Sequence, residues 1–216
     1  MEELIYTLRE RFGWQIRSGF TEHDLEGIIQ TGDEISEAIE KWLPGVNGDS
    51  WIRKFLRNAV FHKGGLPQKV VSFANGGSKI SLVFINHHVW LDPGTFNSVR
   101  PTRWVAHELG HVLDNNCHWM AVWWGGGPSD DLMRSLNTRP SGLRWINTKA
   151  LAKAMPAVFS WTTHNRGKYP KYGDNSSADY FAETWAWMIH RPDVVPMAAR
   201  DWFMDWMRDQ TLELID

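Results

Sequence analysis

A single cysteine, Cys117, stands in 216 residues, so the chain can form no internal disulfide. No apolar run reaches the roughly 18 residues that a membrane span needs. The net charge is only −2, which leaves no electrostatic footprint for nucleic acid. Met1 to Arg11 contain neither a basic n-region nor an apolar h-region and do not read as a signal peptide. The expected compartment is therefore the cytoplasm or, for a trimmed secreted form, the outside of the cell. There is no internal repeat and no low-complexity tract, and nothing in the sequence sets an oligomeric state. What is present is an ordinary globular composition, 43% hydrophobic and 22% charged, sufficient for one domain with a sizeable core. Tryptophan is abundant, with 14 residues, most of them expected as packing anchors.

Periodicity divides the domain, residues 1–216, into three parts: a helical part over 1–65, a sheet with one long helix over 66–116, and a helical subdomain over 117–216. Residues 2–12 place Leu4, Ile5, Leu8 and Phe12 on one helical face. Further helices are expected over 33–43, ended by Pro44-Gly45, and over 50–62, with Ser50 as cap. The period then changes. Residues 69–74 and 79–85 are β-rich and joined by Asn75-Gly76-Gly77-Ser78, a hairpin signal. A short strand over His88–Leu91 stops at Asp92-Pro93-Gly94. A helix follows from about Pro101 to Asn115. Later helices are expected over 130–137, 148–159, 177–190 and 196–213, with loops around Trp123-Trp124 and over 162–170. The fold class is α+β, with a small mixed sheet.

The helix after the strands carries His107-Glu108-Leu109-Gly110-His111, an H-E-x-x-H pattern. Residues four apart on a helix stand one above the other. Both imidazoles can therefore reach one Zn²⁺ at about 2.0–2.1 Å, with Glu108 beside them as general base for a metal-activated water. The flanks Val105, Ala106, Leu109, Val112 and Leu113 are apolar, as a helix crossing a core requires. Asp114, three residues after His111, is expected to steady a ligand histidine or the helix itself. His23, His62, His87, His88, His164 and His190 read as ordinary polar residues.

Two histidines do not complete a catalytic zinc site, which uses three protein ligands and an open position. Position 117 is cysteine, so the further histidine of the metzincin pattern is absent. The candidates for the third ligand are Asp179 and Glu183, one helical turn apart, with Ala182 and Ala186 beside them permitting close helix approach. One carboxylate can bind zinc while the other accepts the far N–H of a ligand histidine. Ser176-x-x-Asp179 is also a capping box, which would leave Asp179 a structural role.

The two runs together, H-E-L-G-H-V-L-D over 107–114 and Y-G-x-x-x-x-x-D-Y-F-A-E over 172–183, resemble the catalytic domain of anthrax lethal factor and the related Pro-Pro endopeptidases, which are gluzincin-type zinc metallopeptidases. The resemblance covers about residues 79–115 and 170–210 and does not extend to the first 65. It implies a zincin-like metallopeptidase fold with one zinc ion held by His107, His111 and Asp179, and Glu108 as base. It implies Glu183 as the carboxylate behind a ligand histidine and Tyr172 as donor to the developing oxyanion or to the leaving amine. Two departures stand out. Asp179 falls where the family has Glu, and 68 residues separate it from His111, a longer gap than the family pattern has. Substrate preference is therefore not carried over.

The expected function is hydrolysis of a peptide or protein by a zinc-activated water. A rival of another class is a metal-stabilised binding or regulatory module without peptidase activity, its zinc closed by a fourth ligand such as Cys117.

Overall fold

The computed structural model describes residues 1–64, 83–84, 88–91, 93–98, 100–117, 127–136 and 177–212, without the side chains of 83–84, 177–179 and 212. The architecture is α+β and mostly helical. Its elements are α1 (Glu2–Phe12), β1 (Gln15–Ile16), α2 (Glu22–Trp42), α3 (Gly48–Phe55), β2 (Val60–Lys63), β3 (Val83–Phe84), β4 (His88–Leu91), α4 (Pro101–Cys117), α5 (Pro128–Ser135), α6 (Ser177–His190) and α7 (Met197–Leu212). Among the described residues, four strands form one mixed sheet in the order β1-β2-β4-β3. β1 runs parallel to β2 and β2 parallel to β4, whereas β3 pairs antiparallel with β4 at the edge.

Strand alternation sorts the sheet faces. Phe61, Val89 and Leu91 turn into the core, while His62, His88 and Trp90 lie half-buried on the other face as a ring stack. The His62 and His88 rings also share a 2.7 Å N···N hydrogen bond. His88 thus opens β4, and both histidines have specific ring partners. His87 lies outside the described residues.

The first 64 residues are built into the same core as the rest. Buried side chains from Leu8 to Met207 make one cluster. Trp51 of α3 stacks on Trp185 of α6 at 5.8 Å and donates its indole N–H to Thr211 of α7 at 3.2 Å. Such an aromatic pair contributes about 0.5–1.5 kcal/mol beyond its buried area.

Two helices differ from the sequence expectation. α2 begins at Glu22, eleven residues before the expected 33. Thr21 and Asp24 form a reciprocal capping box at its start, with Asp in the place more usual for Glu. Gly32 interrupts the apolar stripe Leu25, Ile28, Ile35, Ile39, yet it is what the packing needs, since a β-carbon there would stand 2.4 Å from the Phe12 ring. The helix expected over 50–62 covers Gly48–Phe55 instead. Asn58 then takes a left-handed conformation, φ 63, and the chain enters β2. Ala59, at helical spacing from Trp51 and Phe55, is buried as they are although it lies between the helix and β2.

The remaining described helices fall within two residues of their expected ends. Of the expected hairpin only Val83 and Phe84 are described, and both are strand. The expected helix over 148–159 and the loops at Trp123-Trp124 and 162–170 lie outside the described residues. Among the described residues, no helix is long and apolar enough to cross a membrane.

Candidate functional site

α4 is buried nearly all round. Val105, Ala106, Leu109, Val112 and Leu113 are fully inaccessible, and the polar Arg103, Glu108 and Asp114 are buried among them. His107 and His111 rise from the less buried side, one turn apart, their rings 5.0 Å apart and nearly perpendicular. Glu108 lies in the same turn, 6% exposed.

α6 crosses α4 at Gly110. A β-carbon on residue 110 would stand 2.7 Å from the Cα of Ala182 and 3.0 Å from the Trp185 ring. The helices meet this closely because residue 110 has no side chain and residue 182 has only a methyl group.

That approach brings Glu183 to His107. Glu183 Oε2 lies 2.9 Å from His107 Nδ1, while Oε1 accepts from Arg103 at 2.7 Å and from the Trp187 indole at 2.9 Å. Burial pushes the Glu183 carboxyl up, but the His107 hydrogen bond and the Arg103 charge outweigh it and hold the group below the usual carboxylate range. Burial pulls Arg103 below its usual value while Glu183 opposes, and a guanidinium stays cationic at neutral pH. An ionised carboxylate only accepts hydrogen bonds. A neutral His107 must therefore carry its proton on Nδ1, leaving the Nε2 lone pair free of that proton. This is the tautomer a metal-ligating histidine needs.

Asp114 is fully buried, and its Oδ1 accepts the backbone N–H of Ser129 at 3.0 Å. It caps the start of α5 and so fastens that helix to α4. Burial raises its carboxyl to about 6, against the Ser129 hydrogen bonds. Cys117, in the last turn of α4, packs against the core, and burial pushes its thiol up to about 12. At 100° per residue it lies about 240° round the helix from His111, on a different side.

Asp179 stands in the first turn of α6, one turn before Glu183, and its side chain is outside the described set, as is the whole of Tyr172. Among the described residues, no three His, Cys, Asp or Glu side chains converge as metal ligands would. Arg103 and Trp187 are the site residues that the sequence reading passed over. Each has a faint signal, lying one helical turn from His107 and from Glu183 respectively.

Compared with family models, with curated proteins and with solved structures, the chain matches none.

Proposed function

We propose that the chain is a zinc metallopeptidase with a zincin-like arrangement, in which α4 follows a small mixed sheet and carries the ligands. The observation that carries the reading is the His107–Glu183 contact. A buried carboxylate on Nδ1 leaves Nε2 as the ring nitrogen available to an ion, and His111 stands one turn away with its ring 5.0 Å from that of His107. The donor set suits zinc: two imidazoles, plus a carboxylate from the start of α6. Glu183 serves His107 from behind, on the opposite ring edge from any ion held by Nε2, which favours Asp179 over Glu183 as third ligand.

His107, His111 and Asp179 would hold the Zn²⁺, which when bound would supply a Lewis acid able to lower the pKa of a water to about 7. Glu108 takes the proton of the attacking water and delivers it to the leaving amine. Tyr172 donates to the developing oxyanion. Among the described residues β3 is the outermost strand of the sheet, and an extended peptide would lie along the strand edge near residues 80–86.

The test is hydrolysis of a quenched-peptide library by wild type and Glu108→Gln, with and without chelator. The expected result is chelator-sensitive cleavage by wild type and a loss of about 10²–10⁴-fold in Glu108→Gln, with zinc still bound. Wild-type turnover in Glu108→Gln would overturn the mechanism. Bound zinc with no cleavage of any peptide would favour the binding module.

A further inference from the structure

We propose that Arg103 is a positioning residue for His107, acting through Glu183. The inference rests on the metallopeptidase reading only for the role of His107 as a ligand.

Arg103 lies one turn before His107 on α4, and both side chains reach the same carboxylate from α6. The two oxygens of that carboxylate are divided between them. Arg103 and the Trp187 indole both bond Oε1, which leaves Oε2 turned to His107 Nδ1. A carboxylate has one plane, so fixing Oε1 from two directions fixes where Oε2 points.

Arg103 is itself fixed. It is 1% exposed, and its guanidinium carbon lies 4.4 Å from the ring centroid of Trp104 and 5.3 Å from that of Trp187. A guanidinium over indole faces gains a cation–π attraction, and its planar fork of donors is one that an ammonium cannot reproduce. The order of control runs from the two tryptophans to Arg103, from Arg103 to Glu183, and from Glu183 to the His107 ring. Partners behind a metal-ligating histidine commonly carry 10–100-fold in metal affinity. Arg103 stands one step further back and sets the geometry of that partner.

Two measurements on the whole chain test this. The first uses metal-free protein: nitrogen NMR of the His107 ring in wild type, Arg103→Gln and Arg103→Lys. The expected result is an Nδ1–H tautomer in wild type, mixed tautomers in Arg103→Gln and partial retention in Arg103→Lys. The second is competition for Zn²⁺ against a chromogenic chelator, scored on the folded fraction. The expected loss is about 10–100-fold in Arg103→Gln and less in Arg103→Lys.

A purely structural arginine would lower the melting temperature but leave the tautomer and the zinc affinity of the folded molecules unchanged, and that result overturns the proposal. So does an Nε2–H tautomer in wild type. If Arg103→Gln does not fold, Arg103→Lys is read by the same criteria. An Arg103-dependent tautomer in a chain that binds no zinc would keep the positioning role and remove the metallopeptidase reading. Tight zinc binding that ignores Arg103 would do the reverse.

Discussion

Gly110 of α4 and Ala182 of α6 approach so closely that a β-carbon on the glycine would stand 2.7 Å from the Ala182 Cα. The nearest contact atom is helix backbone, so a methyl group at 110 cannot be accommodated by a side-chain swing. Gly110→Ala should raise the helix propensity of α4 by up to about 1 kcal/mol. Overpacking should cost about 1–3 kcal/mol and win. The expected net effect is lower stability in urea unfolding, together with weaker zinc binding as Glu183 is pushed from His107. Unchanged stability would mean that the helices do not cross at this point.

Glu183→Ala removes the acceptor of three donors and leaves Arg103 buried without the carboxylate. Breaking a buried pair on one side costs about 3–5 kcal/mol, well above the typical surface substitution. Urea unfolding should show a loss in that range. A loss under about 1 kcal/mol would mean that Arg103 finds other solvation there.

Elemental analysis separates the candidate ligands. Zinc should fall to trace level in Asp179→Ala. In Glu183→Ala it should persist at reduced affinity, because only the partner of a ligand is lost. Zinc that ignores Asp179 places the third ligand elsewhere.

Cys117→Ser should leave zinc stoichiometry unchanged. The thiol packs against the core on another side of α4 from His111, and its raised pKa opposes the thiolate that a ligand must be. Loss of zinc in this variant would favour a closed structural site.

His190, at the end of α6, is held neutral. Burial and the charges of Arg103 and Arg100 push its pKa down to about 4, against a hydrogen bond with the Thr102 backbone. Its 3.3 Å approach to Glu34 Oε2 lacks hydrogen-bond geometry and does not reverse this. The folded state therefore binds fewer protons than the unfolded chain between pH 4 and 6.5. Stability from this residue is complete above about pH 6.5 and falls as pH drops toward 4, by about 3 kcal/mol in all. His190→Gln should flatten the stability profile over that window. Equal slopes in both proteins would show that His190 titrates freely.

The part of the site that lies within one helix was legible in the sequence. Four-residue spacing and an apolar surround are local properties, and they put His107 and His111 on one face of a helix that forms where expected. Ala182 and Ala186 likewise announced a close crossing, although the sequence did not name Gly110 as the residue they meet. The α+β class followed from the change of period between residues 69 and 91. The start of α2 was hidden because Gly32 breaks its stripe, and β2 was hidden because a short strand that follows a helix keeps the apolar spacing of the helix.

Other relations belong to the tertiary structure alone. Arg103 and Glu183 are 80 residues apart, and Trp51 and Thr211 are 160 apart. No periodicity encodes such a pairing. The Arg103–Glu183 pair exists because Gly110 lets α6 settle on α4, and a carboxylate buried at that crossing has to gather donors from both helices. The sequence by itself determined which side chains share a helical face. Only the packing of one helix on another decided which nitrogen of His107 is held and what holds the carboxylate that holds it, because both depend on distances between segments far apart in the chain.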